Sequence, residues 1–192
     1  ICESIHILTE KSKILIDGGN VIRSENKIIM CDKVFRENAQ FSERQLIKNL
    51  EQIFQVDKII FIPTDPDDFT GHADGLVRFY ENDTVLINAA ENKKNAFQLS
   101  LRLALHNAGL NYIEIPYNPF GNKKKSQANG IYLNYMQMQQ AIIIPVFGIV
   151  EDDPAEKQFV DLFNGNKIST VNSNDIANEG GILNCISWNI LK

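Results

Sequence analysis

The feature that most constrains the fold is a repeated order of predicted elements along the chain. Three successive units each show the order strand, strand, helix, strand, with a period of about fifty residues. Repeats of this length are typical of propellers and arrays, in which neighbouring units bury each other's apolar faces. The sequence therefore predicts an α/β protein whose modules can surround a common axis.

The elements of each unit follow from apolar runs, helix caps and glycine stops. The first unit has β-prone runs at 13–16 and 27–30, a helix that Ser42 caps and a returning strand at 58–62. The second has strands at 76–80 and 84–88, a helix at 95–107 that stops at Gly109 and a strand at 112–115. The third has strands at 131–135 and 142–147, a helix capped by Asp153 with Pro154 first, and a strand at 167–171. A fourth unit begins at Ile182.

A glycine turn precedes the first strand of every unit. These turns are DGGN at 17–20, GHADG at 71–75, ANG at 128–130 and EGG at 179–181. If the units surround an axis, the turns occupy equivalent places and can converge on one site. We therefore expect Asp17, His72, Asp74 and Cys185 to lie near each other although they are far apart in the sequence.

Composition and charge exclude several classes of protein. The 192 residues are 44% hydrophobic and 22% charged, enough for one globular domain. The net charge of −5 excludes a general nucleic-acid binder, and the one basic run, 123–125, fits a solvated loop. The longest apolar run, 141–150, is too short to span a membrane. The three cysteines (Cys2, Cys31 and Cys185) fit neither a disulfide framework nor a zinc knuckle.

Cys185 is the candidate nucleophile. A lone cysteine among Ile and Leu is usually a buried small hydrophobe. This one follows a double glycine at the predicted start of a strand, where the backbone can bring a thiol to a cavity. A nearby cation would favour the nucleophilic thiolate, and both interpretations stay open.

His72 and Asp74 are the next candidates. At strand spacing, residues i and i+2 point to the same side, so an imidazole and a carboxylate would face one pocket. The stretch also fits a surface turn in which aspartates bind backbone N–H groups, and this is the better interpretation for Asp67 and Asp68.

Asp17 gains its interest from the repeat, because an aspartate before two glycines is usually a turn residue. We expect no metal site, since His6 and His106 lack ligand spacing to His72. A thiol, an imidazole and two carboxylates nevertheless form a coherent set. A carboxylate can bind a guanidinium through paired hydrogen bonds, a thiolate can attack its central carbon, and a histidine can protonate the departing ammonia.

At this point the sequence resembles a known family. The family is that of the agmatine deiminases and the Porphyromonas-type peptidylarginine deiminases, in the pentein superfamily. Three stretches are similar to motifs of this family: GHADGLVRF, EGGILNC and DGGN. IYLNYMQMQQAIIIPVF and DPAEKQFVDLF resemble the strand pair and the helix between the last two motifs. The order and spacing match over nearly the whole chain.

The resemblance implies a pentein, or α/β-propeller, of five strand–strand–helix–strand modules around a pseudo-fivefold axis. Residues 1–192 would belong to a single pentein-type catalytic domain and would form its C-terminal part. About three and a half of the five modules would be present, with the N-terminal modules missing. The chain starts at Ile1 rather than Met, which favours a fragment and leaves the compartment open, with a preference for the cytoplasm.

The resemblance also implies roles for the site. Cys185 would be the nucleophile, His72 the general acid and base, Asp74 a guanidinium clamp, and Asp17 the carboxylate that orients His72. The substrate would be a small-molecule or peptide guanidino compound such as agmatine, arginine or peptidyl-arginine. No metal, organic cofactor, nucleic acid or membrane is implied, and a homodimer is compatible with the family.

The sequence departs from the family pattern in three places. Asn184 occupies the position before the nucleophile, where the family has His, and Ile-Ser-Trp-Asn follows Cys185, where agmatine deiminases carry a Thr and glutamines. An Arg-Asp segment that supplies a second guanidinium clamp in the family is not found before Asp17. Two alternatives therefore remain: a non-catalytic pentein binding module or degenerate paralogue, and an amidinotransferase.

Overall fold

The computed structural model describes residues 9, 11–90, 95–119, 121–124 and 126–188. Within these residues three sheets of three strands follow one another along the chain. In each sheet the first two strands pair antiparallel, and the second strand pairs in parallel with the strand that follows the helix. The predicted order of strand, strand, helix, strand is confirmed three times over.

The first unit comprises β1 (Ile22–Arg23), β2 (Lys27–Cys31), α1 (Lys33–Glu37), α2 (Glu43–Phe54) and β3 (Lys58–Ile62). The second comprises β4 (Val77–Glu81), β5 (Thr84–Asn88), α3 (Ala96–Ala108) and β6 (Asn111–Ile115). The third comprises β7 (Met136–Gln137), β8 (Ala141–Val146), α4 (Asp152–Leu162), β9 (Lys167–Asn172) and α5 (Asn174–Asn178).

The helix ends confirm the predicted caps at Ser42 and Gly109 and add a cap at Asn95. The Ser42 hydroxyl accepts the Gln45 N–H at the start of α2, and the Asn95 side chain accepts the Phe97 N–H at the start of α3. Gly109 ends α3 in the left-handed region, with φ of +78°, which a glycine adopts at no steric cost.

Neighbouring modules share their hydrophobic cores. Leu101 and Leu105 of α3 are buried in one cluster with Ile29 and Ile60 of the first sheet and Ile87 of the second. A second cluster joins the second sheet to the third unit through buried apolar side chains, among them Leu86, Ile115, Tyr132 and Phe159. A third cluster, around Leu46 and Leu50 of α2, lies within the first unit alone. The two shared clusters hold neighbouring modules in fixed mutual positions.

The first predicted strand, 13–16, is wrong. Asn38 is fully buried, its amide donates to the Leu15 carbonyl, and its side-chain oxygen accepts the Leu15 N–H at 2.8 Å. A side-chain amide thus satisfies the backbone groups that a neighbouring strand would have paired. The first strand of this unit is the two-residue β1 instead.

Two predictions in the third unit are also wrong. The segment 131–135 is mostly a 3₁₀ turn, Tyr132–Asn134, and the strand that follows is β7. The helix begins at Asp152 rather than after Asp153, so Pro154 is its third residue. The Asp152 carboxylate accepts three successive backbone N–H groups of residues 147–149, which explains why the chain turns into the helix there.

Three 3₁₀ turns position the side chains of the site. They are Gly18–Asn20, Ala73–Gly75 and Tyr132–Asn134, and each ends two residues before the first strand of its sheet. The second turn contacts both of the others. Turns of three modules therefore meet, but in the third module the turn is Tyr132–Asn134 and not the predicted glycine turn at 128–130. None of the helices in the described residues is long and apolar enough to cross a lipid bilayer.

Candidate active site

A cavity of about 600 Å³ opens where these turns meet. Most of the residues that line it belong to three stretches of the chain, within 65–75, 117–128 and 180–185. His72, Asp74 and Cys185 all face it, whereas Asp17 does not line the cavity and contacts His72. The structure therefore brings together the four residues that the sequence singled out.

Cys185 and Asp74 lie side by side in the lining of the cavity. The Cys185 thiol donates a long hydrogen bond to Asp74 Oδ2, with the two atoms 3.9 Å apart, and the Asn184 amide donates to the same oxygen at 2.8 Å. Burial raises the pKa of Asp74, which is 3% exposed, while the hydrogen bond from Asn184 works in the opposite direction. Cys185 is exposed to the cavity, yet the protein around its sulfur still raises the pKa of the thiol by desolvation, and the charge of Asp74 adds to this effect. Both effects favour the thiol over the thiolate.

The cysteine lies in a turn rather than at the start of a strand, and Asn134 fixes that turn. The buried Asn134 side-chain oxygen accepts the N–H groups of Asn184 at 3.1 Å and Cys185 at 3.3 Å. The preceding glycines are needed for space: a Cβ at Gly181 would lie 3.2 Å from Cys185 Cβ, and one at Gly180 would lie 2.8 Å from a backbone oxygen. Asn134 thus connects the third module to the thiol, a link that sequence reasoning missed.

His72 also departs from the expected strand geometry. It immediately precedes the 3₁₀ turn that contains Asp74, so these two side chains reach one cavity from a turn. The Asp68 carboxylate accepts the N–H groups of Thr70 and His72, which confirms the predicted turn role of that aspartate. On the other side, a Cβ at Gly19 would lie 2.4 Å from His72 Nδ1, so only glycine leaves room for the imidazole.

Asp17 lies between His72 and a lysine that the sequence did not single out. Asp17 Oδ2 is 3.4 Å from His72 Nε2 and 2.5 Å from Lys33 Nζ. The hydrogen bond from Lys33 lowers the pKa of Asp17, and the contact with His72 lowers it further. Desolvation raises this pKa by a smaller amount. Lys33 directly follows Asp32 at the carboxyl end of β2. The carboxyl ends of parallel strands are where α/β proteins place ligand sites, and this was the signal that could have found it.

Metal binding has no support in the side-chain geometry of the described residues. Among them, no group of three or more His, Cys, Asp or Glu side chains is arranged to hold a metal ion.

The fold of the chain is similar to that of several solved α/β proteins. A cysteine-to-serine variant of Campylobacter jejuni agmatine deiminase, solved with substrate bound, aligns over 95% of this chain and 58% of its own, with a TM-score of 0.79 and 20% identity. Enterococcus faecalis agmatine deiminase aligns with a TM-score of 0.77 and 19% identity over 96% of this chain and 60% of its own. A dimethylarginine dimethylaminohydrolase aligns more distantly, with a TM-score of 0.54 and 14% identity over 92% of this chain and 56% of its own. The fold is therefore the pentein fold of these enzymes.

The sequence identifies one family among the proteins that share this fold. The model of the Porphyromonas-type peptidyl-arginine deiminase family matches residues 2–190, and the chain belongs to this family. A Mycoplasma mycoides protein provisionally named an agmatine deiminase is 22% identical to this chain. The alignment is 219 positions long with its gaps counted, and it covers 97% of this chain. The chain spans about 60% of the length of such curated relatives.

Proposed function

We propose that the protein hydrolyses a guanidino group to a ureido product and ammonia. The observation that carries the proposal is the position of Cys185 Sγ, 3.9 Å from Asp74 Oδ2, in a cavity that His72 also lines. Membership of the family adds support, because its relatives are named as deiminases. The chain supplies a nucleophile, a cation-binding carboxylate and an acid–base group at one place.

Substrate binding would switch the thiol to its reactive form. Asp74 is buried and can accept two N–H groups of a guanidinium, a charge-assisted contact that keeps the carboxylate ionised. The bound cation would then lie beside Cys185 and favour the thiolate, which reverses the effect of Asp74 alone. The raised pKa of the Cys185 thiol is thus compatible with a nucleophile that substrate activates.

The reaction would proceed in two halves. The Cys185 thiolate attacks the central guanidinium carbon, a C–S bond forms, and His72 protonates the nitrogen that leaves as ammonia. The product of this half is an amidino group bound to sulfur. His72 then takes a proton from water, the hydroxide attacks the same carbon, and the C–S bond breaks to release the ureido product and the thiolate. Asp17 would orient the imidazole through its contact with Nε2.

The test is a direct assay of the complete protein with agmatine, arginine and arginine-containing peptides, with ureido product and ammonia both measured. Agmatine is the first compound to try, because it is named in the relatives and solved structures. Cys185→Ala should abolish product formation. Cys31→Ala removes a fully buried thiol that does not line the cavity, and it should leave turnover in place. Ammonia release that survives in Cys185→Ala would refute the proposal.

The same assay separates the alternatives. A non-catalytic binding module would bind a guanidino compound without forming product, and the hydrogen bond of Asn184 to Asp74 is the feature that favours this alternative. An amidinotransferase would pass the sulfur-bound amidino group to an amine in place of water, so added glycine or ornithine would yield a new guanidino product.

A further inference from the structure

We propose that Lys33 is a positioning residue for this reaction. Its side chain holds Asp17 against the imidazole of His72, and it also holds the segment that carries His72. The inference rests on the proposed function and adds to it a part of the site outside the cavity, since Lys33 does not line the cavity. Its action would pass through Asp17 rather than through contact with substrate.

The Lys33 ammonium is a buried charge whose three donors are all used. The side chain is 5% exposed, and Nζ lies 2.5 Å from Asp17 Oδ2, 2.8 Å from the Thr70 carbonyl oxygen and 3.2 Å from Glu37 Oε1. A buried ammonium is tolerated only when it is paired and hydrogen-bonded. Here burial alone would lower the pKa of Lys33, but the hydrogen bonds to Asp17 and Glu37 outweigh it and raise the pKa. The ammonium is therefore kept charged and fixed in place.

This fixed charge holds a carboxylate that is otherwise largely exposed. The Asp17 side chain is 53% exposed and lies in a glycine-rich turn. The oxygen that receives the Lys33 hydrogen bond, Oδ2, is the same atom that faces His72 Nε2 at 3.4 Å. Lys33 thus selects the one carboxylate orientation that contacts the imidazole, and it keeps that carboxylate ionised.

Lys33 also fixes the other partner of the pair. Its bond to the Thr70 carbonyl reaches the segment just before His72, and its own backbone N–H donates to Thr64 Oγ1 at 3.1 Å. The aliphatic stem packs against Gly71, where an added Cβ would lie 3.1 Å from Lys33 Cδ and 2.8 Å from Thr64 Cγ2. Gly71 has a φ of +61°, so the close approach and the backbone conformation both require glycine. One side chain therefore sets the distance between Asp17 and His72 from both ends.

The experiment compares Lys33→Met with Lys27→Met in the complete protein. Lys27 lies on the adjoining strand β2 and pairs with Asp83 at 2.5 Å, away from the cavity, so the control breaks a similar lysine–aspartate pair. For Lys33→Met we expect kcat to fall by roughly 10- to 100-fold, a part of the about 10²- to 10⁴-fold that a positioned acid–base group supplies. KM should stay within about twofold, because Lys33 does not contact substrate. Lys27→Met should leave both constants unchanged.

A second measurement does not depend on turnover. In ¹³C NMR, with the Asp17→Asn variant to assign the signal, the Asp17 carboxyl should titrate at higher pH in Lys33→Met than in the wild type or Lys27→Met. The imidazole ¹⁵N signals of His72 should change at the same time, as its hydrogen-bonding partner is released. Glu37→Gln keeps an oxygen that can accept from Lys33 Nζ but removes one of the two charges that hold the ammonium. It should therefore change these signals and lower kcat in the same direction as Lys33→Met but by less, which covers the case in which Lys33→Met is poorly folded.

The outcomes distinguish the two proposals. Wild-type turnover with equal kcat in Lys33→Met and Lys27→Met would overturn the role of Lys33 and leave the deiminase proposal standing. A wild-type protein that forms no product would remove the deiminase proposal and with it the catalytic part of this inference. Unchanged Asp17 and His72 signals in Lys33→Met would overturn the positioning role itself, whatever the activity.

Discussion

The Asp74→Asn substitution isolates the electrostatic relation between the thiol and the carboxylate. Asparagine keeps the shape of the side chain and can still accept the Asn184 hydrogen bond, but it removes the negative charge 3.9 Å from Cys185 Sγ. The pKa of the thiol should therefore fall, and Cys185 should react faster with a thiol reagent when no substrate is added, although the proposed guanidinium clamp is lost. Catalysis and thiol reactivity are expected to change in opposite directions.

The distance sets the size of the effect. Two unit charges 3.9 Å apart repel by about 1 kcal/mol in water-like surroundings and by about 4 kcal/mol at an effective dielectric constant near 20. These energies correspond to roughly 5-fold and 900-fold more thiolate at a pH below its pKa. A less basic thiolate is also a weaker nucleophile, which removes about half of the gain on a logarithmic scale. We expect the thiol to react roughly 2- to 30-fold faster.

The assay is the rate of thiol–disulfide exchange with 4,4′-dithiodipyridine at pH 7. The Cys185→Ser variant supplies the blank for the other cysteines, of which Cys31 is buried and Cys2 lies outside the described residues. Asp67→Asn makes the same change at another carboxylate of the cavity and should leave the rate unchanged. A rate in Asp74→Asn that equals the Asp67→Asn rate would refute the geometry, because the Asp74 charge would then not face the sulfur.

Three further predictions concern activity and stability. Gly19→Ala should lower kcat by about 10², because its Cβ would displace the imidazole by its clash at 2.4 Å, whereas Gly18→Ala, with no atom within 4 Å of its Cβ, should remain active. Asp152→Ala should lower the free energy of unfolding by about 3 kcal/mol or more in urea titrations, since it leaves three backbone N–H groups without their acceptor; a loss no larger than in Asp153→Ala would contradict this. Asp74→Asn should stabilise the fold at pH 7, because a raised carboxyl pKa means that ionisation opposes folding above it. Repeated urea titrations should show this gain shrinking as the pH falls towards the ordinary value of 3.8, and a gain that is constant with pH would exclude the mechanism.

The repeat made most of the fold predictable, because each helix and each returning strand left its own periodic pattern and caps. The errors fall where a side chain or a tertiary contact satisfies the backbone. The run at 13–16 has β-forming residues, yet Asn38 pairs with its backbone in place of a strand. The run at 131–135 is buried like a strand, but an apolar run this short does not distinguish a strand from a tight turn.

The candidate site was predictable in its members and not in its supports. His72, Asp74 and Cys185 carry side chains whose chemistry is rare enough to single out, and the glycine turns gave them a common place. The place of Lys33 after β2 is the one hint in the sequence for these supports, but a lysine after a strand is usually solvated, and an asparagine such as Asn134 before a strand is usually a turn residue. Their roles depend on contacts across modules, which only the three-dimensional structure reveals.

The three 3₁₀ turns also show how a repeated scaffold can separate geometry from chemistry. The residue before each turn is Asp17, His72 or Ile131, and the middle residue is Gly19, Asp74 or Leu133. The same backbone path thus delivers a carboxylate, an imidazole and an aliphatic group to corresponding places. Repeated modules supply several copies of one backbone position. The residue at each copy can then be replaced without a change at the other copies. A site of this kind can gain or exchange a reactive group by point mutation alone, since the backbone that presents it already exists.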